Sequence, residues 1–597
     1  MVDRNLVLTA IESTWPEGLQ KPVVFLGEWC RLYSRKERWS KMKAKVLDYH
    51  WDDRKKYFKD YVFLKNIHEK LLNELSKKLN KIHKIKRSKR YWRFIIGPWL
   101  GYFVQILFDR WFMLKQAHKK NKRLQVKVVY RKKQLIPNDM TEFLEWMAQD
   151  DWNEALYGEI LKKIKFKNFS IKKIHCQNSL PSKKTYFFQK TLKQKAKEII
   201  QESCNRLASW TSSKRSHFFM SPYISFFQNF WLQCQLSQVP QFWKTVKTPK
   251  TRSTSSFRNW RLEDCDKTKN FIGLAKRLIP LHMPTVYLEG FRASRRMIRK
   301  LAWPDSPQSI FDSVGWCGND IFKIWAAEKC ETGTPFIIGQ HGGSYGVSKW
   351  SFGESHQISV SDIFLSWGWK NKKAANIVPV GNLKNGKKHF RWGANTHAIL
   401  VGNAMPRYSY YSYSAPVAAG QWLEYFDEQC RFVENLSEEL RAKLIIRLYA
   451  CDYDLCQKQR WADRFPSLRI DDGIQPMDRL LHKTRIYIST YNATTYLDSM
   501  LLNIPTLIFW NPKHWEIRDE TKKEFEALTR VKIFHSTPES AANQLSQVWG
   551  CTSEWWLDKK VQKARNAFCR RFSFAPEKPT HRLLKVFREI SSKKVHR

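Results

Sequence analysis

No apolar run in this sequence of 597 residues is long enough to cross a lipid bilayer. The best candidate, residues 94–108, is shorter than the roughly 20 residues that a transmembrane helix needs, and it contains Pro98. At the amino terminus Asp3 and Glu12 interrupt any apolar stretch and no small-residue cleavage site follows, so no signal peptide is predicted. We therefore expect a cytoplasmic protein in which residues 94–108 form a buried or interfacial helix.

Metal-binding cysteine pairs and familiar catalytic motifs are also missing. The 12 cysteines include no C-x-x-C pair, and a cytoplasmic protein is expected to keep them as reduced thiols. The absence of Walker A, G-x-S-x-G, kinase and G-x-G-x-x-G motifs disfavours an NTPase, a hydrolase, a kinase or a classical dehydrogenase. Two Asp-x-Asp triplets, at residues 264–266 and 452–454, follow no convincing nucleotide-binding strand. We therefore predict no required metal and no other cofactor.

Acidic residues are scarce in this chain. The 55 Asp and Glu residues stand against 105 Lys and Arg residues, which leaves a net charge of +50. A surface that is positive over much of the molecule attracts anions. Nucleic acid, an acidic membrane face and phosphorylated small molecules, such as nucleotide-sugars and lipid-linked glycans, all fit this charge. The 43% hydrophobic content suffices for two or three packed domains.

Short apolar runs separated by helix-length segments predict parallel strands. Residues 23–27 form one such run, which ends on Gly27. A first series comprises residues 285–288, 335–339, 363–367 and 377–380. A second series comprises residues 398–401, 444–448, 485–489 and 506–510. Each series predicts a Rossmann-like unit, and the ligand is expected in the crevice at the carboxyl ends of the strands.

The domain boundaries follow from this alternation. We predict an N-terminal Rossmann-like domain (1–385) with a large, basic, helical insertion (about 40–270), a C-terminal Rossmann-like domain (396–575) and a basic tail (576–597). A Gly-, Asn- and Lys-rich linker at residues 381–395 would join the domains. The stripe of leucines and Ile67 between Leu64 and Leu79 predicts one helix of the insertion. Residues 115–250 interleave basic and aromatic side chains, which suits a helical core, single-stranded nucleic acid or a membrane interface.

The clearest candidate binding segment begins where the strand at residues 485–489 ends. Free backbone N–H groups and hydroxyls at the start of the following helix would bind a diphosphate, and Asn492 or Thr494 is the predicted N-cap. Asp498, one turn into the helix, is predicted to accept a ribose hydroxyl. Ordinary capping of a buried helix is the alternative. The predicted donor-binding residues of this segment are Ser489, Thr490, Asn492, Thr494, Thr495 and Asp498.

A second candidate segment follows the strand at residues 335–339. His341 is suited to take a proton from an acceptor hydroxyl, because the unperturbed pKa of histidine lies near neutrality. Glu354 would orient His341 or share its work, and Glu28, just past an earlier strand, is an alternative base. A lone histidine is more often structural. The predicted acceptor-side residues are Gln340, Gly342, Gly343 and Tyr345, and the glycines would let a substrate approach the backbone.

Three cations are candidates for neutralising a departing diphosphate. Arg447 closes the strand at residues 444–448, and Lys513 and Arg518 follow the strand at residues 506–510. In a chain with a charge of +50, such positions also arise by chance.

Several motifs in their order resemble those of a family of bacterial transferases found with surface-carbohydrate genes. They are GEWC at 27–30, YHWDDR at 49–54, YWR at 91–93, GPWL at 97–100, DR at 109–110, GQHGGSYG at 339–346, WGW at 367–369 and STYNATTYLD at 489–498, followed by IPTLIFWNP. The resemblance covers residues from about 5 to 535. It implies similarity of the carboxyl half to GT-B glycosyltransferases and capsule-polysaccharide synthesis enzymes. Asp498 stands where the family pattern has Glu, and Tyr449 where a histidine is expected.

These features together predict a GT-B-like α/β fold, in which two Rossmann-like domains face a cleft. The expected activity is transfer of a sugar from a nucleotide-sugar to an anionic or lipid-linked acceptor, such as a lipopolysaccharide or capsule polysaccharide precursor. The basic surface is expected to hold the enzyme peripherally at the inner membrane. The alternatives are a polyol-phosphate or other group transferase, a non-catalytic scaffold, and a nucleic-acid-binding protein. The last has no recognised reader motif, so no specific nucleic acid is expected.

Overall fold

Three parallel β-sheets form the framework of the computed structural model, which describes residues 4–175, 203–205, 216–264, 270–383, 396–408, 417–481 and 484–595. The first sheet contains β1 (Arg4–Val7), β2 (Val23–Phe25), β3 (Ala44–Val46), β4 (Leu124–Tyr130) and β5 (Phe169–His175). The second contains β6 (Phe218–Phe219), β7 (Ile310–Asp312), β8 (Phe336–Gly339), β9 (Ile363–Ser366) and β10 (Ile377–Pro379). The third contains β11 (His397–Val401), β12 (Leu444–Arg447), β13 (Arg469–Asp471), β14 (Thr484–Ser489), β15 (Thr506–Phe509) and β16 (Phe534–His535).

Helices connect and cover the strands. In the first part of the chain they are α1 (Lys36–Trp39), α2 (Arg54–His83), α3 (Lys89–Lys120), α4 (Met140–Trp146), α5 (Asp150–Lys163), α6 (Phe226–Gln235), α7 (Ser255–Arg258) and α8 (Phe271–His282). The second sheet is accompanied by α9 (Phe291–Ile298), α10 (Gly315–Gly318), α11 (Asp320–Glu331) and α12 (Phe352–Val360). Later in the chain come α13 (Gln421–Glu434), α14 (Glu438–Ala442), α15 (Gln457–Arg464), α16 (Met477–Leu481), α17 (Thr494–Leu501), α18 (Lys522–Arg530), α19 (Pro538–Val548), α20 (Thr552–Leu557), α21 (Lys559–Phe572) and α22 (Pro579–Val595).

The strand order in each sheet is that of a wound α/β unit. The orders are β3-β2-β1-β4-β5, β10-β9-β8-β7-β6 and β13-β12-β11-β14-β15-β16. Each sheet is parallel throughout, as in the pairings of β8 with β9 and of β11 with β14. All residues of β8 and β15 are buried, as expected of strands covered by helices on both faces. The predicted α/β class, with Rossmann-like sheets on either side of a cleft, is confirmed.

Eight of the nine apolar runs of the sequence coincide with strands, namely β2, β8 to β12, β14 and β15, but residues 285–288 are an exception. The other strands of the three sheets were not predicted. At residues 285–288 a 3₁₀ helix, Thr285–Tyr287, replaces the predicted strand. Its backbone N–H groups donate to the carbonyl oxygens of Pro137 and Asn138, at 3.0 and 2.9 Å, and not to a neighbouring strand. The segment therefore supports the loop before α4, and a run of apolar residues alone does not reveal that partner.

The predicted insertion at residues 40–270 is helical only in part. The leucine stripe does form a buried face of α2, which starts at an Asp53 cap that accepts from the Lys56 N–H at 3.0 Å. However, the same region supplies β3, β4 and β5 of the first sheet and β6 of the second. The seven residues of β4, LQVKVVY, alternate in burial over part of their length, and this β-branched pattern is the signal for a strand. The chain thus has a third parallel sheet in addition to the two predicted.

The predicted buried helix at residues 94–108 lies within α3. Pro98 is inside this helix, and the helix is surrounded by protein along most of its length. No helix in the described part of the chain is both long and apolar enough to span a membrane.

The expected tail at residues 576–597 contains a packed helix. In α22, Leu583, Leu584 and Phe587 are buried against the second sheet, where Phe587 contacts Phe219 and Phe311. Just before it, the Phe574 N–H donates to the Trp367 carbonyl at 2.8 Å. The end of the chain therefore returns from the third sheet to the second. Most of the predicted linker, residues 384–395, lies outside the described residues.

Candidate active site

One cavity brings the second and third sheets together at the carboxyl ends of their strands. It has a volume of about 420 Å³. Its walls come from the segments that follow β8, β11, β12 and β15 and from the segment that leads into α17. The lining residues are His341, Gly342, Gly343, Ser344, Tyr345, Ser351, Gly353, Asn403, Ala404, Met405, Tyr449, Tyr453, Asn492, Ala493, Thr494 and Trp515. The cavity therefore joins the predicted acceptor segment to the predicted donor segment.

His341 is the titratable side chain of this cavity with the clearest potential for proton transfer. Its Nδ1 is enclosed and has no hydrogen-bond partner among the described residues, so Nε2 is the nitrogen that the cavity can reach. The rings of Tyr345 and Tyr223 lie 5.6 and 6.2 Å from the imidazole. Burial lowers the pKa of His341 to about 4, because desolvation disfavours the charged ring. At neutral pH the imidazole is uncharged and able to accept a proton.

Gln340 holds the loop that carries His341 and does not line the cavity. Its amide donates to the Gly342 carbonyl at 2.6 Å, and its Oε1 accepts from the Trp367 N–H and the Trp369 indole at 2.9 and 2.8 Å. Every polar atom of this buried side chain is thus used within the second sheet. The structure places Gln340 beneath the site, where it fixes the position of the following residue.

Gly342 and Gly343 allow the two sheets to touch through their backbones. A Cβ atom at Gly343 would lie 2.2 Å from the carbonyl oxygen of Ala493, which no side chain can accommodate without movement. At Gly342 the nearest atoms would be the Tyr345 ring at 3.4 Å and the Thr494 hydroxyl at 3.7 Å. The glycines therefore serve a close approach of two loops, in addition to the predicted approach of substrate.

Tyr345 lines the cavity beside His341, whereas Glu354 does not line it, and neither is a hydrogen-bond partner of His341. The Tyr345 hydroxyl accepts from Gln357 at 2.5 Å. The buried Glu354 carboxylate accepts from the Gly346 N–H at 2.9 Å and pairs with the Arg518 guanidinium at 2.6 Å. Since neither oxygen reaches His341, Glu354 acts on the loop and on Arg518.

The polar residues at the end of β14 have structural roles in this conformation. Ser489 donates to the Tyr491 carbonyl at 3.2 Å, and Thr490 donates to the Val401 carbonyl at 2.8 Å. Both side chains are buried beneath the cavity and do not line it. They hold the segment against β11 and set the position of the residues that follow.

Asn492, at the cavity wall, connects the third sheet to the second. Its amide nitrogen donates to the Ser348 hydroxyl at 3.4 Å, and its oxygen accepts from the Tyr496 hydroxyl at 3.2 Å. The helix α17 instead begins after Ala493, which supplies no side-chain cap. The prediction of Asn492 or Thr494 as N-cap is wrong, because the Asn492 side chain is held by Ser348 and Tyr496.

The amino terminus of α17 is therefore left without a side-chain cap at the cavity. The first N–H groups of a helix have no partner within the helix, and they carry the positive end of its dipole. Thr494 lines the cavity at this point. Thr495 donates to the Tyr491 hydroxyl at 3.3 Å, and Asp498 accepts from Asn382 at 3.3 Å. Neither of these two side chains lines the cavity.

The three predicted cations lie outside the lining of the cavity. Arg447 pairs with Asp471 at 2.5 Å and donates to the carbonyl of Gly473 at 3.0 Å. Arg518 donates to the Ser348 carbonyl at 2.9 Å in addition to its pair with Glu354. Lys513 is exposed on the segment after β15. No Lys or Arg is among the described residues that line this cavity.

Glu28, the alternative base, lies in another part of the molecule. It pairs with Arg31 at 2.5 Å and lines a small cavity of about 30 Å³ together with Arg407. It does not share a cavity with His341. The structure thus brings together His341, Gly342, Gly343, Tyr345, Asn492 and Thr494, and it separates them from Glu28, Arg447 and Lys513.

A family model described as the LIC12162 family transferase matches residues 4–587. The chain belongs to this family. It is therefore a transferase, as its motifs predicted. Comparison with curated proteins gives no match.

Solved structures give only partial likenesses to this family member. The wall teichoic acid polymerase TagF has 9% identity and a TM-score of 0.31 over 67% of this chain and 97% of its own. MurG of Acinetobacter baumannii has 13% identity and a TM-score of 0.32, covering 63% and 99%. MnaA of S. aureus, solved with UDP, has 10% identity and a TM-score of 0.37, covering 63% and 96%. Scores this low assign no role to any residue of this chain.

Three aromatic residues of this transferase's cavity were missed by the sequence reasoning. Tyr449 and Tyr453 lie with their rings 6.4 Å apart and nearly parallel, at 16°. Tyr449 is 42% exposed, which leaves a flat apolar face at the cavity mouth. Trp515 is buried, and its indole N–H has no partner in the described structure. The signal for Tyr449 was its position two residues after the end of β12, since side chains that follow parallel strands face the ligand crevice.

Proposed function

We propose that this transferase moves a glycosyl group from a nucleotide-sugar to a hydroxyl of a surface-carbohydrate acceptor, in the cavity between the second and third sheets. The observation that carries the proposal is the juxtaposition of His341 and the uncapped start of α17 across one cavity of about 420 Å³. A base can take the proton of the acceptor hydroxyl, and a helix terminus can bind the diphosphate of a nucleotide-sugar, so both groups serve glycosyl transfer.

The donor diphosphate binds at the start of α17. Its oxygens accept from the free N–H groups near Thr494, and the helix dipole favours their negative charge. Because no Lys or Arg is among the described residues that line this cavity, backbone dipoles provide the electrostatic stabilisation of the leaving group. The exposed ring of Tyr449, stacked near Tyr453, offers the nucleobase a flat surface.

The acceptor hydroxyl enters beside His341. Nε2 of the uncharged imidazole takes the hydroxyl proton as the oxygen forms its bond to the anomeric carbon. The bond between that carbon and the diphosphate breaks, and both bonding electrons leave with the nucleotide. Arg447, Lys513 and Arg518 lie outside the lining of this cavity, so the role predicted for them at the departing charge has no part in this arrangement. Glu354 positions the loop of His341 by accepting from the Gly346 N–H.

The acceptor is an anionic or lipid-linked glycan, and the enzyme works at the cytoplasmic face of the inner membrane. The charge of +50 supports this part of the proposal, because an acidic membrane surface attracts a strongly basic protein. A precursor of a lipopolysaccharide or of a capsule polysaccharide has the required negative charge and the required hydroxyl groups.

The experiment that tests the proposal is a thermal-shift screen of the whole protein against nucleoside diphosphates and nucleotide-sugars at moderate salt. A ligand at about a hundred times its dissociation constant stabilises the folded state by about 2.7 kcal/mol. We expect stabilisation that is selective for one base. A Thr494→Ala, Thr495→Ala double variant removes the two hydroxyls and should reduce the shift, whereas Thr332→Ala, an exposed threonine elsewhere, should leave it unchanged.

The identity of the nucleotide that binds then separates the classes of transfer. A nucleotide-sugar that stabilises more than its free nucleotide supports glycosyl transfer. Stabilisation by a nucleotide-linked polyol alone would replace it with polyol-phosphate transfer in the same cavity. No stabilisation by any nucleotide would contradict the proposal.

A further inference from the structure

A second, partly enclosed cavity lies beside the first sheet, away from the residues of the candidate active site. It has a volume of about 470 Å³, within the range of cavities that bind small molecules. Strands β4 and β5, helix α5 and the end of α8 form its walls. Val128, Leu135, Leu161 and Leu281 give it an apolar interior. Such an interior fits a hydrocarbon chain rather than a sugar or a nucleotide.

Four lysines around this apolar interior have no acidic partner among the described residues. Lys132, Lys133, Lys163 and Lys173 line the cavity and are exposed. None of the four has an ion-pair partner within the described structure, and the carboxylate of Glu159 at the same wall is paired with Lys162 at 2.7 Å. The uncompensated charge at the mouth of the cavity therefore favours an anionic group on the ligand.

A wider basic groove continues from the mouth of this cavity. Its volume is about 1270 Å³, and it shares Lys132, Lys133 and Leu281 with the apolar cavity. Lys250 and Arg252 add two further exposed cations to its lining. A ligand with an apolar chain in the cavity would thus have its anionic end and any polar extension in a positive channel.

His282 is a polar side chain at the wall of this cavity. Its side chain lines the apolar cavity and the residue is 5% exposed, yet neither ring nitrogen has a hydrogen-bond partner among the described residues. Leaving a buried polar group unpaired costs about 1–3 kcal/mol, and other buried side chains, such as that of Trp99, lack a hydrogen-bond partner in the same way among the described residues. The rings of Phe103 and Trp152, 5.4 and 6.3 Å away, offer no such partner.

Two large apolar side chains at the walls are open to solvent. Tyr130 and Ile171 are 40% and 45% exposed, and both line the cavity. An apolar ligand that entered the cavity would cover them and remove this surface from water.

From these observations we propose that the cavity binds a lipid phosphate, with the hydrocarbon chain against Val128, Leu135 and Ile171 and the phosphate among Lys132, Lys133 and Lys173. The inference rests on the proposed function in one respect, since it makes this cavity the holding site for the lipid part of a lipid-linked acceptor. Binding itself does not require that transfer occurs.

The test is equilibrium dialysis of radiolabelled farnesyl phosphate, below its micelle concentration, against the whole protein. The wild type is expected to bind one equivalent. Ile171→Glu places a carboxylate in the apolar wall and should weaken binding at least about tenfold. Ser170→Glu adds the same charge on the other face of β5, outside the cavity, and should bind like the wild type. Lys132→Glu with Lys133→Glu should also weaken binding, whereas Lys372→Glu with Lys373→Glu, at exposed lysines elsewhere, should not.

Competition separates the parts of the ligand. Farnesol should displace the probe less well than farnesyl phosphate, and inorganic phosphate should not displace it. Equal binding by the Ile171→Glu and Ser170→Glu variants would overturn the proposal. So would displacement by a single-stranded oligonucleotide with no effect of Ile171→Glu, which would assign the groove to polynucleotide.

A nucleotide thermal shift on the same variants keeps the two proposals apart. If the Ile171→Glu variant no longer binds farnesyl phosphate but is still stabilised by the nucleotide, the two sites are distinct, as inferred. If neither the wild type nor any variant binds the lipid but the nucleotide shift persists, only the lipid inference fails. If the lipid binds and no nucleotide does, only the proposed function fails.

Discussion

At the scale of single residues, Gly343 determines how closely the two loops of the cavity approach. Replacing it with alanine would place a Cβ atom 2.2 Å from the Ala493 carbonyl oxygen, and backbone atoms cannot rotate away as a side chain can. We expect Gly343→Ala to lower the free energy of unfolding by about 1–3 kcal/mol and to weaken nucleotide binding, as measured by chemical denaturation and thermal shift. Gly550→Ala, where a Cβ would meet nothing within 4 Å, is the control and should change neither.

The protonation state of His341 should make kcat/KM depend on pH. If its uncharged ring accepts the acceptor proton, His341→Gln should lower kcat/KM by at least about a hundredfold. The wild-type profile should be flat from neutral pH down to about pH 5 and should fall as pH approaches the His341 pKa of about 4. The exposed His581→Gln should keep wild-type activity. A His341→Gln variant with normal kcat/KM would remove the base from the proposal.

The lowered pKa of the same histidine also predicts how the stability of the fold depends on pH, and this can be measured without an activity assay. Its pKa is lower in the folded state than in the unfolded chain, so the unfolded state binds more protons between pH 6.5 and about 4. The His341 contribution to stability is therefore complete at neutral pH and is lost as pH falls through that window. His341→Gln should lose less stability than the wild type between pH 7 and pH 4, measured as thermal midpoints. Identical pH dependence in both proteins would mean that the ring is not buried as described.

At the scale of elements, a single substitution at the start of α17 can test whether a backbone N–H group binds the phosphate. Proline is tolerated at the first position of a helix, and the extended Ala493 before it suits a following proline. Thr494→Pro removes one N–H donor and the hydroxyl, whereas Thr494→Ala removes the hydroxyl alone. We expect Thr494→Pro to weaken nucleoside diphosphate binding about tenfold beyond Thr494→Ala, measured by calorimetry. Equal affinities would show that the N–H group at Thr494 does not hold the phosphate.

Seven strands of the second and third sheets, β8 to β12, β14 and β15, could be read from the sequence as apolar runs, whereas the short strands β6, β7, β13 and β16 could not. Covered on both faces, β8 and β15 appear as unbroken apolar runs. The rule that ligands lie beyond the carboxyl ends of such strands then placed His341 and Asn492 in one cavity. The first sheet was harder to recognise, because β5 is mostly exposed and has no apolar run.

The roles of the cations could not be read in the same way. Whether an arginine faces a phosphate or a carboxylate depends on partners far away in the chain. Glu354 and Arg518 are 164 residues apart, and their pair forms only when the second and third sheets are in contact. The prediction of the helix cap was wrong for the same reason, since Ser348, which holds the Asn492 side chain, lies 144 residues away in the chain. Local patterns locate a site, whereas tertiary partners decide which of its side chains are free.

At the scale of the whole molecule, a strip of contacts holds the second sheet to the third along one side of the cavity. Ser348 and Ile517 form an antiparallel bridge, the Lys349 N–H donates to the Glu516 carbonyl at 3.0 Å, and the Arg518 N–H donates to the Val347 carbonyl at 2.9 Å. The pair of Glu354 and Arg518 lies on this strip. The strip limits how far the cavity can open on this side.

A double-mutant cycle measures this connection. Glu354→Gln and Arg518→Gln each leave one mostly buried charge unpaired, and each should lower the free energy of unfolding by about 3 kcal/mol. The double variant should cost less than the sum of the two, with a coupling of about 1–3 kcal/mol in chemical denaturation. The exposed pair Asp519 and Lys522 is the control and should show no resolvable coupling. Additive costs at Glu354 and Arg518 would mean that the strip does not act as a unit.

The affinities for two kinds of anion should depend differently on salt. The net charge of the protein is +50, whereas no Lys or Arg is among the described residues that line the active cavity. A polynucleotide would bind the basic surface by releasing counterions, so its affinity should fall by orders of magnitude between low and physiological salt. A nucleotide-sugar held by backbone N–H groups displaces few counterions, and its affinity should change much less over the same range. Fluorescence anisotropy of a labelled single-stranded oligonucleotide, beside calorimetry of the nucleotide found in the screen, compares the two slopes. Oligonucleotide binding that survived physiological salt would show that the basic surface has a nucleic-acid partner, whereas a steep nucleotide slope would place a lysine or arginine at the diphosphate after all.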